Sequence, residues 1–106
     1  MSLEQRHPII TFTANLAAET TYYVDDWGPG QTSRAVRERF QVGGKGINVS
    51  KMLGRLQSPT IAACFPGGHF GDYCRSWLDE KKIPYKAFTR DCITRSATIV
   101  RAPVKE

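Results

Sequence analysis

Cysteine is scarce in this sequence of 106 residues, which contains three of them, Cys64, Cys74 and Cys92. The number is odd and no C-x-x-C pair occurs, which argues against both a disulfide framework and a zinc site. We therefore expect reduced thiols and a cytoplasmic protein.

Long apolar runs and clusters of like charge are also missing. No apolar run approaches the ~18 residues that span a bilayer, and the N-terminus MSLEQRHPII lacks the apolar core of a signal peptide. The net charge is +5, but Lys81-Lys82 is the only adjacent basic pair. A mildly basic, solvated surface follows, and basic residues are not interleaved with stacking aromatics. We expect neither a membrane nor a nucleic-acid partner.

What is present is a balanced composition, with 41% apolar and 24% charged residues, which is typical of one small globular domain. Apolar spacing predicts helices over residues 46–56 and 69–82, because side chains recur there at i, i+3, i+4 and i+7. In the first helix, Val49, Met52, Leu53 and Leu56 form the predicted buried face. β-rich segments predict strands over residues 9–17, 21–27, 33–42, 60–65, 85–89 and 95–102. The first of these strands is expected to be largely buried.

The segment 33–42 fits a strand or a helix, and the Pro29-Gly30 turn before it favours a strand. Strands that alternate with helices predict an α/β fold whose parallel sheet is joined by right-handed crossovers. Such a crossover needs only a helix, so the two strands between residues 21 and 42 are additional. They predict a flap that leaves the sheet and returns.

The segment QVGGKGINVSKMLGRL carries the clearest candidate chemistry. A helix N-terminus offers free N–H groups and a positive dipole end, and glycines let a ligand approach the backbone. Lys45 adds a positive charge and Asn48 adds a hydrogen-bond donor and acceptor. These features suit a polyhydroxylated or phosphorylated ligand.

Two familiar motifs are excluded at this turn. A P-loop requires Ser or Thr after its lysine, where Gly46 stands, and a glycine where Arg39 stands. A dinucleotide fingerprint directly follows the first strand, whereas GGKGIN follows the flap. Spacing alone leaves a purely structural glycine turn as an open alternative.

Several motifs together resemble the ribokinase-like (PfkB) carbohydrate kinases. GGKGINVSKMLGRL is similar to the N-terminal signature of that family, in the version of its 1-phosphofructokinase and tagatose-6-phosphate kinase branch. TANLAAETTYYVDDWGPGQTSRA resembles the opening of that branch, and TRSATIV resembles a later lid strand. The resemblance implies residues 1–106 are one partial ribokinase-like domain, with a parallel sheet, flanking helices and a small β-lid over about 21–42 and 86–101.

The resemblance also implies a set of substrate-binding residues, with no catalytic residue or metal ligand among them. They are Glu19, Gly43, Gly44, Lys45, Asn48 and Arg95. Arg95 matches a lid arginine that contacts the substrate phosphate, and Arg34 is a weaker candidate. Solvent-facing roles for Lys45 and Arg95 are the alternatives. Glu19 stands where the family has a shorter aspartate, which leaves the identity of the sugar open.

Family members are far longer, and their G-A-G-D segment with the catalytic base lies in the part that this sequence does not contain. The expected function is therefore the substrate-binding part of an ATP-dependent sugar or sugar-phosphate kinase. ATP and Mg²⁺ are implied for the full-length enzyme, and neither is expected to bind this chain alone. The alternative is a non-catalytic lid-and-sheet module that binds a sugar phosphate. In either case we expect a homo-oligomer formed through the β-lid.

Overall fold

Two three-stranded sheets and two helices make up the structure, a computed structural model that describes residues 7–103. The helices are α1 (Lys45–Arg55) and α2 (Gly68–Glu80). The strands are β1 (Ile9–Thr13), β2 (Ala17–Val24), β3 (Ala35–Gly43), β4 (Thr60–Cys64), β5 (Tyr85–Ala87) and β6 (Arg95–Arg101). Both predicted helices are present, and the ambiguous segment 33–42 is a strand.

The main sheet has the order β1-β4-β5, and all its strands are parallel. Ile9 pairs with Thr60, and Ala62 pairs with Tyr85. Helix α1 lies in the connection between β1 and β4, and α2 lies between β4 and β5. The predicted α/β class is therefore confirmed. Strand β4 is central, so within residues 7–103 the sheet edges belong to β1 and β5.

The second sheet, which we call the lid sheet, has the order β3-β2-β6. Strand β2 pairs antiparallel with β3 and parallel with β6. The observed strand bounds differ from the predicted ones in two respects. The predicted single strand over residues 9–17 ends at Thr13, and Ala17 already begins the lid sheet. Residues 85–87 pair with β4, so the lid range of 86–101 includes one end of a main-sheet strand.

The core lies where the two sheets and the two helices meet. Leu16, Val42, Ile47 and Leu78 are buried there. On α2, Cys74, Trp77 and Leu78 are buried, while Phe70 and Tyr73 are exposed. Burial raises the pKa of the Cys64 thiol, and burial beside Cys64 raises that of Cys74 to about 12. All three cysteines are free thiols. No described helix is both long enough and apolar enough to cross a bilayer.

Two burial predictions were wrong. Val49, Met52 and Leu56, expected to form the buried face of α1, are 50%, 51% and 68% exposed. Ile47 and Ser50 are buried instead. Strand β1, expected to be largely buried, also exposes apolar side chains, among them Ile10 and Phe12. The helix packs through Ser50 because a buried hydroxyl network is available to it.

That network runs from α1 to strands β1 and β4. Thr11 Oγ1 and Ser50 Oγ are 2.7 Å apart, and Ser50 Oγ and Thr60 Oγ1 are 2.9 Å apart. Thr60 Oγ1 donates to the carbonyl oxygen of Ile9. Since each hydroxyl carries one proton, Ser50 must donate to Thr60, and Thr11 must donate to Ser50. Every proton in the network therefore has an acceptor.

Replacing Ser50 by alanine should lower the free energy of unfolding by about 1–2 kcal/mol, because the Thr11 hydroxyl then has no acceptor in a dry site. Chemical unfolding followed by circular dichroism measures the loss. Ser76→Ala, on the exposed side of α2, is the control and should change stability by less than about 0.5 kcal/mol. Equal stability of Ser50→Ala and wild type would contradict the network.

Candidate functional site

The turn between β3 and α1 is built from glycines because three side-chain positions have no room there. A Cβ at Gly43 would collide with the carboxylate of Glu19. A Cβ at Gly44 would lie 2.5 Å from the Thr13 methyl group, and Gly44 also has a φ of 141°. A Cβ at Gly46 would meet Thr13 Oγ1 and lie 2.9 Å from the main-chain oxygen of Phe12. The glycines thus bring the start of α1 against the end of β1.

Helix α1 begins without a side-chain cap. Gly44 is its N-cap residue and provides no side-chain hydrogen bond. The amide of Asn48 donates the first intrahelical bond, to the carbonyl oxygen of Gly44 at 3.0 Å. The amides at positions 45–47 precede that bond and have no intrahelical acceptor. Lys45 and Asn48 both have exposed side chains beside these amides.

One face of the lid sheet meets this helix end. Ala17 pairs with Gly43 on one side and with Arg95 on the other. Partners in register share a face, so Gly43 and Arg95 lie about two strand spacings apart, roughly 10 Å, on the same surface. Glu19 is two residues along β2 from Ala17 and points to the same face. The register therefore brings Glu19, Gly43 and Arg95 together.

Glu19 is held by a residue that the sequence reasoning did not select. Gln41 Nε2 donates to Glu19 Oε2 at 3.1 Å, and the two residues are register partners. The signal was present in the alternation of β3, where Gln41 shares a face with Gly43. Gln41 fixes the Glu19 side chain above Gly43 and leaves Glu19 Oε1 as a hydrogen-bond acceptor.

A second glycine turn positions Arg95. The amide of Gly67 donates to Thr94 Oγ1 at 2.9 Å, and the amide of Thr94 donates to the carbonyl oxygen of Gly67 at 3.0 Å. Thr94 is 4% exposed. A Cβ at Gly67 would collide with the carbonyl oxygen of Cys92. The start of α2 and the start of β6 are therefore locked together, one residue before Arg95.

Thr13 was also not selected from the sequence. Its hydroxyl is buried at the base of the glycine turn and has no hydrogen-bond partner within the described residues. Arg34, the weaker candidate, is exposed and precedes β3. It lines a shallow cavity with Asp25 and Gln31, and Gln31 and Arg34 belong to the loop between β2 and β3 rather than to the glycine turn.

Comparison with known proteins identifies relatives of this chain. No family model matches the chain. A 1-phosphofructokinase of Haloferax volcanii is 40% identical over 97 residues, which are 89% of this chain and 31% of that protein. A tagatose-6-phosphate kinase of Staphylococcus epidermidis is 30% identical over 90 residues, covering 80% of this chain and 29% of that protein.

Solved structures agree with these relatives. Phosphofructokinase-2 of Escherichia coli in complex with fructose-6-phosphate has a TM-score of 0.81 at 25% identity, covering 88% of this chain and 31% of that one. The same enzyme in its tetrameric inhibited form has a TM-score of 0.80 and the same identity, over 88% of this chain and 31% of that one.

The shared region is a limited part of each relative. The chain spans 31% and 29% of the length of the two curated relatives. Over 88% of this chain, the fold is similar to that part of the solved kinase in complex with fructose-6-phosphate. The chain is therefore similar to an N-terminal portion of the ribokinase-like (PfkB) carbohydrate kinases, in their phosphosugar branch.

Proposed function

We propose that the chain forms the sugar-phosphate-binding part of an ATP-dependent carbohydrate kinase. The observation that carries this proposal is the common face shared by Glu19, Gly43 and Arg95 next to the uncapped start of α1. It combines an acceptor for hydroxyl groups, a bare backbone and a cation within the span of one small ligand. The names of the two curated relatives, a 1-phosphofructokinase and a tagatose-6-phosphate kinase, support the same ligand class.

Each residue has a distinct proposed role. The Arg95 guanidinium binds the phosphate group through charge-assisted hydrogen bonds. Glu19, oriented by Gln41, accepts hydrogen bonds from sugar hydroxyls, and Asn48 supplies both a donor and an acceptor. Gly43 and Gly44 let the sugar approach the backbone, and Lys45 adds positive charge at the rim. These roles concern binding and orientation only.

ATP and Mg²⁺ are implied for the full-length relatives. Within residues 7–103, no group of three or more His, Cys, Asp or Glu side chains could hold a metal ion. We derive no transfer step from the described residues. We assign to this chain the recognition of the phosphate-bearing substrate.

Calorimetric titration of the chain with fructose phosphates tests the proposal. Arg95→Ala should weaken binding of fructose 6-phosphate or fructose 1-phosphate about tenfold, close to 1.5 kcal/mol, because a charge-assisted bond to phosphate is lost. Its binding of unphosphorylated fructose should be unchanged. Arg101→Ala, at the other end of the same strand, is the control. No saturable binding of either phosphate by wild type, or equal losses in both variants, would refute the proposal.

The second candidate is a non-catalytic module that binds the same ligand. The exposed apolar side chains of Val36 and Val100 on the lid sheet favour a partner surface there, and we propose a homo-oligomer formed through that sheet. Titration with fructose phosphates in the presence and absence of ATP separates the candidates, since only a kinase part whose sugar site contacts the nucleotide should change its affinity for the sugar phosphate when ATP is added. The free thiols support a cytoplasmic location for either.

A further inference from the structure

A cavity of about 370 Å³ lies between α1, the C-terminal end of α2 and strand β3, and shares no lining residue with the glycine turn. Positive charge is concentrated along the lining of this cavity, which we call the basic cleft. The cationic lining residues are Arg39, Lys51, Arg55, Lys81 and Lys82. Among the described residues that line it there is no aspartate or glutamate. Glu80 lines an adjoining cavity, which shares Trp77 and Lys81 with the basic cleft.

The five cations come from three separate parts of the chain. Arg39 lies on β3, Lys51 lies in the middle of α1, and Lys81 follows α2. Within residues 7–103, none of the five forms an ion pair with a carboxylate. Like charges that converge without counter-charges repel one another and raise the local positive potential. A bound anion removes that repulsion.

Arg55 lies in the last turn of α1, where a cation is favoured, but capping of α2 does not account for the two lysines. The last carbonyls of α2 are already satisfied, because the amide of Ile83 donates to Leu78 at 3.0 Å and the amide of Lys82 donates to Asp79 at 3.1 Å. These two bonds form a Schellman motif, which needs no lysine side chain. Arg39 and Lys51 are not at a helix C-terminus at all.

The backbone of Lys82 is an additional sign. Its φ is 57°, in the left-handed region where glycine is the usual residue at this position of the motif. A lysine there carries a conformational cost that a glycine would avoid. The Lys82 side chain lines the basic cleft.

The floor of the cleft offers contacts other than charge. Trp77 lies in it, and Lys51 Nζ is 5.6 Å from the centre of the Trp77 ring. Ser50 and Thr60 also line the cavity, with their hydroxyls engaged in the buried network. A volume of about 370 Å³ is in the range of sites for small molecules.

We propose that the basic cleft binds a small molecule that carries two or more phosphate groups. Several separated cations around one cavity match several linked anionic groups better than a single one. The inference does not depend on the sugar-phosphate site, since Arg95, Glu19 and the glycine turn take no part in it.

Fluorescence of Trp77 reports on the cleft directly. The sequence has two tryptophans, and Trp27 is 57% exposed, so Trp27→Phe leaves Trp77 as the sole reporter. Titration of this background with inorganic tripolyphosphate should give a saturable change, which weakens as salt is added. Orthophosphate should bind at least about tenfold more weakly, because it meets fewer of the cations at once. Absence of a saturable change, or equal affinities for the two anions, overturns the proposal.

A parallel titration with ATP distinguishes the sources of such a ligand. Tighter binding of ATP than of tripolyphosphate identifies a nucleotide whose ring stacks on Trp77. Equal affinities identify the phosphate chain alone. Either outcome supports the assigned chemistry, and Arg95→Ala should leave both affinities unchanged.

Variants that remove single positive charges test whether tripolyphosphate binds in the basic cleft. Lys51→Gln and Lys81→Gln should each weaken tripolyphosphate binding about threefold to fivefold. Lys86→Gln, on the exposed part of β5 outside the cleft, is the matched control and should change it less than about twofold. Equal losses in all three overturn the proposal, because they would indicate attraction to net charge alone.

Lys82→Gly gives a second test that does not risk the fold. Glycine accepts the positive φ at this position, so the variant should unfold at a higher denaturant concentration than wild type. It should nevertheless bind tripolyphosphate about threefold more weakly. Binding equal to wild type in this more stable variant counts against a role of Lys82 in the cleft and overturns the assignment of the five cations.

Discussion

Replacing Gly46 by alanine is expected to lower the free energy of unfolding by about 2–3 kcal/mol. The new methyl group would meet Thr13 Oγ1 and the main-chain oxygen of Phe12, which is 2.9 Å from the Cβ position. Phe12 belongs to β1, whose backbone is held by parallel pairing with β4. The helix would therefore have to move away from the sheet and lose part of the packing of Ile47. Urea unfolding monitored by circular dichroism measures the difference.

Gly54 on the same helix gives a control of opposite sign. A Cβ there would have no neighbour within 4 Å. Gly54→Ala should therefore stabilise the chain by about 0.5–1 kcal/mol, since alanine loses less backbone entropy in a helix. If Gly46→Ala were also stabilising, the close approach of α1 to β1 would be wrong.

Replacing Gly67 by alanine is expected to have the largest effect, about 3 kcal/mol or more. Its φ of −149° suits alanine, so the backbone conformation itself is not strained. The methyl group would collide with the carbonyl oxygen of Cys92, and relief requires the segment 92–94 to move away from α2. The two hydrogen bonds between Gly67 and Thr94 would then be lost.

The same change should also affect ligand binding, because Thr94 directly precedes Arg95. Any Gly67→Ala protein that remains folded should bind fructose phosphates more weakly than wild type. Gly28→Ala is the control, since its Cβ would meet only the flexible Gln31 side chain at 3.4 Å, and its stability should change by less than about 0.5 kcal/mol. A Gly67→Ala protein as stable as Gly28→Ala would show that the two turns are not interlocked.

The secondary structure could be predicted from the sequence because its signals are local. The apolar period of 3.6 and the β-rich segments gave all eight elements, with bounds that differ by a few residues. The clear exception is the segment 9–17, where one apolar run serves two sheets. Local pattern does not report that the chain changes sheets after Thr13, since both parts are extended.

Burial of α1 could not be predicted in the same way. The pattern shows that Val49, Met52 and Leu56 share a face, but only the neighbours decide which face is covered. Ser50 is buried because Thr11 and Thr60, distant in sequence, satisfy its hydroxyl. Such compensation is a property of tertiary contacts.

The residues of the candidate site also form two groups, those that the sequence predicted and those that only the tertiary structure brought together. Sequence alone determined the glycine turn, its lysine and its asparagine, because they are adjacent in the chain and start a helix. Strand register decided that Glu19, Gln41 and Arg95 share one face with Gly43, since pairing joins residues up to 78 positions apart, as between Ala17 and Arg95. Tertiary structure alone also gathered scattered basic residues into one cleft, because charges distant along the chain become neighbours only when helices and strands pack.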